Sequence, residues 1–438
     1  MNRDAIQNLI KWKDSKFRKP LVIKGARQVG KTWLMKEFGR QNYSSVAYVN
    51  FENNDRMMRL FQDDYDVDRI IFGLQIETDI QINNETLIIF DEIQEVPKAL
   101  TALKYFQENA PQYHVLSAGS ALGVALHEGF SFPVGKVDFL ELYPMTFLEF
   151  LQASNNVQLA ELIKANNFDL MTVFKDRLID SLKQYYFIGG MPEAIFVYKE
   201  TRDLNEVREV HRRLLFAYEQ DFSKHVPTTI LPRVRLIWNS IPSQLARENR
   251  KFIYGLVKEG ARAREFEVAF QWLLDMDLVV KVFRISKPDV PLSAYQDINT
   301  FKLFMNDVGL LSTFSNLDMK SLLEGNQIFE EFKGALTEQY VFQELRSLKN
   351  LIPYYWSADK GMAEIDFIIE TSSNVVPFEV KASYNLKAKS LRSYYDRYQP
   401  EKSIRTSMAN FRDEGWLVNI PLYAISQFRE ILNSAKEN

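Results

Sequence analysis

The clearest chemistry in the chain sits in eight consecutive residues, Gly25, Ala26, Arg27, Gln28, Val29, Gly30, Lys31 and Thr32. They satisfy G-x-x-x-x-G-K-[ST], a spacing with a physical purpose: the glycines let successive backbone N–H groups turn toward phosphate oxygens. The lysine then reaches the β- and γ-phosphates, and the hydroxyl of the last residue ligates Mg²⁺. A chance glycine turn also fits so short a pattern, so context decides. Residues 20–24 (PLVIK) read as a short buried strand, and WLMKEFG after the loop has helical apolar spacing. A helix that starts there adds its positive end to the phosphate cradle.

A phosphate loop of this kind needs an acid for the metal and a base for water. TLIIFDEIQEVP offers both, an apolar strand over residues 86–90 that ends in Asp91 and Glu92. Asp91 would hold Mg²⁺ through its water shell, and Glu92 would orient and deprotonate the attacking water. Downstream, YHVLSAGSALG predicts a strand near residues 113–116 with small polar residues at its end, from which Ser117 and Ser120 could sense a γ-phosphate. Serine and glycine are also ordinary turn residues, so this assignment has a plain structural alternative.

A second group of charges lies far from the first. Asp366 falls in the strand EIDFIIE, and Glu379 and Lys381 flank Val380 in the next strand, giving D-x12-E-x-K. Residues two apart on a strand share a side, so Glu379 and Lys381 converge beside Asp366. Two carboxylates in that arrangement can hold one or two Mg²⁺ or Mn²⁺ ions. Such a metal lowers the pKa of bound water, and Lys381 would help to orient the nucleophile. Glu338, on the preceding helix, could complete the metal shell. The competing reading is a cross-strand ion-pair network without catalytic use.

The elements that must position these groups follow from periodicity. Strands near residues 44–53, 113–116 and in KVDFL alternate with helices, which predicts an α/β, three-layer parallel-sheet core with its site at the strands' C-terminal ends. Apolar spacing of three and four after the core reads as a helical lid. A short helix, an amphipathic helix and LVVKVFRI then resemble a winged helix. The expected divisions are residues 1–150 for the nucleotide core, 151–230 for the lid, 231–325 for the winged-helix-like part and 326–438 for a C-terminal nuclease-like part. Arg247, Arg250, Lys251, Lys258, Arg262 and Arg264 cluster in the third, which suits phosphate contacts to a duplex or a solvated face equally.

Taken in order, GARQVGKT, IIFDEIQ, the AGS turn, LYPMTFLEFL and YYFIGGMPEAI resemble the AAA-type ATPases that carry a C-terminal domain of unknown function. The likeness spans residues 9–424. The resemblance implies a P-loop NTPase core, ATP rather than GTP as nucleotide, and a C-terminal α/β domain with the restriction-endonuclease-like, PD-(D/E)XK fold. It also implies that Gly190 and Pro192, in Gly190-Met191-Pro192, contact nucleotide as the G-x-P motif does in the wider group. Many relatives carry an arginine before the fifth strand; here Lys136 stands in FSFPVGKV. Lysine loses the planar bidentate fork, which puts an arginine finger at this point in doubt.

Composition narrows the rest. The 438 residues include 54 basic and 57 acidic ones, a formal net charge of −3, so any nucleic-acid surface must be local. There are no cysteines, which excludes disulfides and cysteine-ligated zinc, and the four histidines show no ligand spacing. No signal-peptide core or membrane span is visible, and a cytoplasmic location is the expectation. The partners to expect are ATP, DNA, and a second copy of the chain or another protein, with no membrane. The function to expect is Mg²⁺-dependent ATP hydrolysis coupled to DNA binding or processing. The alternative is a nucleotide-switched interaction protein whose nuclease-like domain is inactive.

Overall fold

The computed structural model describes residues 2–119, 123, 133–246, 251–318, 330–358, 363–371, 374–384 and 386–434. Two compact units emerge, one of Asn2–Tyr143 with Gln271–Leu278, the other of Pro144–Phe270 with Val279–Asn438. Among the described residues, no helix is long and apolar enough to cross a membrane.

The first unit holds a five-stranded sheet of β1 (Leu21–Lys24), β2 (Ser45–Asn50), β3 (Thr86–Asp91), β4 (His114–Ala118) and β5 (Asp138–Glu141), ordered β2-β3-β4-β1-β5. Every pairing is parallel. Parallel strands covered on both faces read as continuous apolar runs, and β3 is buried at all six positions. Phe51, Phe61 and Phe90 pack edge to face beside it, with ring centroids 5.4–5.8 Å apart.

The second unit combines many helices with an eight-stranded mixed sheet. Its strands are β6 (Val279–Ile285), β7 (Gln296–Met305), β8 (Tyr354–Ser357), β9 (Glu364–Glu370), β10 (Val375–Val380), β11 (Ser403–Ser407), β12 (Arg412–Asp413) and β13 (Leu417–Pro421). The order is β12-β13-β11-β10-β9-β8-β6-β7. The expected hairpin of β9 and β10 is present and antiparallel.

The middle of the chain differs from expectation. β6 and β7 do pair antiparallel, as a wing would, but β6 also pairs with β8 through Arg284–Tyr355 and Ile285–Trp356. The hairpin is therefore the edge of the C-terminal sheet, and the expected division at residue 325 runs through one sheet. The physical reason is that a lone hairpin is marginal in water, and the end of its free edge gains partners by joining a strand nearby. Alternation in LVVKVFRI reports a strand and says nothing of which sheet accepts its edge.

Candidate functional site

The phosphate loop closes between β1 and the helix Lys31–Asn42. Gln28 and Gly30 have φ of 65° and 95°, and Gly30 is the left-handed N-cap of that helix. A side chain at Gly25 would meet the Leu142 carbonyl oxygen at 2.2 Å, so only glycine fits where β1 leaves the sheet. Lys31 is buried, and its ammonium donates to the carbonyls of Gly25 and Ala26, each at 2.8 Å. Burial pushes its pKa down to about 8, against the pull of Glu92, Asp277 and Asp91. The loop thus folds around its own cation.

Asp91, at the end of β3, is buried and receives neutral donors. The Thr32 hydroxyl donates to Oδ2 at 2.7 Å, the Tyr48 hydroxyl to the same oxygen at 2.9 Å, and the Glu92 N–H to Oδ1 at 3.1 Å. Tyr48 is set by β2, which runs in register beside β3 with Asn50 opposite Asp91. Burial first, then Asp91, push the Tyr48 phenol well above its usual range, so it stays a donor. Glu92 has a left-handed φ of 50°, and Gln94 donates to its Oε2 at 2.7 Å. A hydroxyl and a carboxylate in contact at the end of the loop form a donor set that suits Mg²⁺ with its water shell. Tyr48 was missed from sequence because it lies mid-strand in VAYVN, where an aromatic residue reads as packing.

Ser120, one of the expected nucleotide contacts, lies outside the described residues, as do Arg247 and Arg250. Ser117 is buried and donates to the Leu21 carbonyl at 3.2 Å, which spends its hydroxyl on the neighbouring strand. Lys136 pairs with Glu108 at 2.8 Å.

Gly190 and Pro192 lie in the second unit. The Gly190 N–H donates to Asp307 at 2.5 Å, and a side chain at Gly190 would meet the Met145 carbonyl oxygen at 2.2 Å. Pro192 opens the helix Pro192–Thr201. Asp307 is buried, and burial pushes its carboxyl up to about 6 despite the amides of Gly190 and Leu310 and the Gln343 side chain. His211 contacts the Ile188 carbonyl from the other side at 3.0 Å, and burial pushes it down to about 3.

The expected metal set of the C-terminal part, Glu338, Asp366 and Glu379, is not gathered as such. Among the described residues no group of three or more His, Asp or Glu side chains is placed to hold a metal ion. Glu379 pairs with Lys381 at 2.8 Å; burial raises its pKa and Lys381 opposes the rise. Asp366 accepts the Val380 N–H on Oδ2 at 2.8 Å. Its other oxygen lies 3.8 Å from a residue that sequence reasoning missed, Lys302 of β7. The Lys302 ammonium also stands 2.5 Å from Glu364 and 3.6 Å from Glu338. The available signal was a lysine inside FKLFM, an otherwise apolar run, since lysine is almost never fully buried without a partner.

Three family profiles match the chain. Residues 17–151 match one described as AAA domain, residues 179–321 a domain of unknown function (DUF8612), and residues 333–424 another (DUF4143). No curated protein matches by sequence. Among solved structures, the Walker-type ATPase PABY2304 of Pyrococcus abyssi is similar at 15% identity and TM-score 0.44, over 72% of this chain and 95% of that one. The Aeropyrum pernix ORC1 protein in complex with DNA is 12% identical, TM-score 0.29, over 72% and 93%. The Thermotoga maritima RuvB Holliday junction branch migration motor is 13% identical, TM-score 0.28, over 64% and 90%. The AAA-domain match coincides with the parallel sheet and phosphate loop described above, and together they support an AAA-type P-loop ATPase core.

Proposed function

We propose that this chain binds and hydrolyses ATP with Mg²⁺ and uses that cycle to control its second unit. The observation that carries the reading is the 2.7 Å contact between the Thr32 hydroxyl and Asp91, beside a loop that already encloses Lys31. Thr32 and Asp91 would hold the metal, which would neutralise charge on the phosphates. Lys31 would exchange the Gly25 and Ala26 carbonyls for β- and γ-phosphate oxygens. Glu92 would take the proton of the attacking water as its oxygen bonds to the γ-phosphorus and the bond to the β-phosphate oxygen breaks, leaving ADP and phosphate. ATP as the nucleotide follows from the family likeness, since no base-reading residues stand out.

For the output, coupling to DNA binding or processing remains the reading the nuclease-like pattern suggests. A nucleotide-switched interaction domain that does not cut is favoured by one observation, the ion pairing of the C-terminal acids with Lys302.

The test is phosphate release from Mg·ATP and Mg·GTP by wild type and Lys31→Ala, with DNA binding followed by anisotropy in the same samples. Release that Lys31→Ala abolishes is expected. Equal release by both proteins overturns the ATPase assignment, equal use of GTP overturns the ATP preference, and DNA binding indifferent to nucleotide and to Lys31→Ala removes the coupling.

A further inference from the structure

A lysine buried to 1% exposure in a water-soluble fold must be compensated, because an isolated ammonium is costly to remove from water. Lys302 is compensated by three carboxylates from two different elements. Glu364 and Asp366 are two apart on β9 and so present their side chains on one side. Glu338 comes from the helix Glu330–Ser347. That helix lies along β7 in matched steps: Phe304, two residues after Lys302, stacks on Phe342, four residues after Glu338, with ring centroids 4.6 Å apart. Two residues of strand advance about 6.6 Å and four of helix about 6 Å, so the Phe304–Phe342 contact sets Lys302 against Glu338.

The ammonium nitrogen is fully enclosed and stands 2.5 Å from a Glu364 oxygen, so the charge of the acids holds it there. Both Asp366 oxygens have a partner: Oδ2 accepts the Val380 N–H, and Oδ1 faces Lys302 at 3.8 Å. Glu364 also lines a cavity of about 250 Å³ whose walls include Lys251 and Arg284. Two positive side chains and one acid of the cluster thus share the lining of that cavity.

We propose that the Lys302 ammonium is the resident cation of the C-terminal acid cluster, standing where the nuclease-like pattern would hold a divalent metal, so that this domain works without one. The inference is independent of the ATPase reading: it would stand even if Lys31→Ala changed nothing at the phosphate loop.

The experiment is Mn²⁺ binding to the nucleotide-free full chain, read from loss of the free-ion paramagnetic resonance signal, together with melting temperature in Mn²⁺ and in EDTA. Wild type and Asp366→Asn are compared first; asparagine keeps an acceptor for the Val380 N–H. Expected are the same Mn²⁺ binding by both proteins and the same change of melting temperature between Mn²⁺ and EDTA, since any Mn²⁺ at Thr32 and Asp91 is common to both. Wild-type binding that Asp366→Asn removes would overturn the proposal. Lys302→Met keeps the apolar stem and removes the charge. It should gain Mn²⁺ affinity by roughly 10- to 100-fold, the scale on which neighbouring groups move metal affinity, and should melt higher in Mn²⁺ than in EDTA. A folded Lys302→Met that takes up no Mn²⁺ overturns the proposal. Should that variant fail to fold, the charge-matched Lys302→Met/Glu364→Gln protein takes its place with the same two readings.

Discussion

Both units place a buried lysine near buried or half-buried carboxylates, and they use it in opposite ways. In the first unit the Lys31 ammonium is bonded to loop carbonyls, while Asp91 is held by two hydroxyls and an amide. By the function proposed above, that arrangement leaves the acid to an incoming cation. In the second unit Lys302 lies directly on the acids, 2.5–3.8 Å from Glu364, Glu338 and Asp366. Residue types alone do not separate a site that awaits a cation from one that supplies its own. What separates them is whether the acid's partners are neutral dipoles or an ion.

The sharpest way to break this contrast is at the base of the first site. Glu92→Gln keeps the size of the side chain and its contact with Gln94 but cannot accept the proton of water. Hydrolysis should fall by ~10²- to 10⁴-fold with nucleotide affinity little changed. Single-turnover phosphate release beside a fluorescent-nucleotide titration measures the two separately. A parallel loss of binding would mean that Glu92 shapes the loop instead of acting on water.

Asp307 supplies a control for the comparison, being a buried acid with neutral donors and no metal-site pattern. Its folded pKa of about 6 lies above the unfolded value of about 3.9, so the native state retains a proton that the unfolded chain has lost. Stability from this group is therefore fully present below the unfolded value and is lost as pH rises from about 4 through 6, at about 1.4 kcal/mol per pH unit. His211, held down to about 3, has the opposite sign: between its unfolded value of about 6.5 and about 3 the unfolded chain takes the proton, and stability is lost as pH falls. The two hold adjacent parts of one turn, at Ile188 and Gly190, and their slopes offset each other between about pH 4 and 6. Denaturant melts of His211→Gln should expose a fall of stability with rising pH that Asp307→Asn/His211→Gln lacks. Parallel pH profiles of those two proteins would show that Asp307 does not titrate there.

What could be read in advance divides along the same line as the two sites. The phosphate loop, the strand ending in Asp91 and Glu92, and the β9–β10 hairpin are contiguous patterns, and local geometry is enough to place Thr32 near Lys31 or Glu379 near Lys381. Lys302 could not be paired from sequence, because its partners come from β9 and a helix 36 or more residues away and depend on β6 joining β8. Sheet-edge choice is a nonlocal decision, and the winged-helix expectation missed it for that reason. Gly190 was read as a nucleotide contact, yet its amide is engaged by Asp307, a residue whose role appears only once Asp307–Leu311 packs on the turn. Tyr48 stands between these cases, local to β2 but brought to Asp91 only through its register with β3.

That register leads to the smallest effect, which refines the first site rather than testing it. The Tyr48 and Thr32 hydroxyls share one oxygen of Asp91, and Lys36 lies over the Tyr48 ring at 3.7 Å. Tyr48→Phe removes one neutral donor and leaves the ring, so Asp91 loses about 0.5–1.5 kcal/mol of hydrogen bonding. The Mg²⁺ concentration for half-maximal hydrolysis should shift by a factor of about 2–10, with the maximal rate at saturating Mg²⁺ nearly kept. The direction is informative: tighter Mg²⁺ means that Tyr48 competes with the metal for the carboxylate, and weaker Mg²⁺ means that it orients Asp91 toward the metal. An unchanged Mg²⁺ dependence would leave Tyr48 with packing alone and assign the metal's carboxylate geometry to Thr32 and the Glu92 amide.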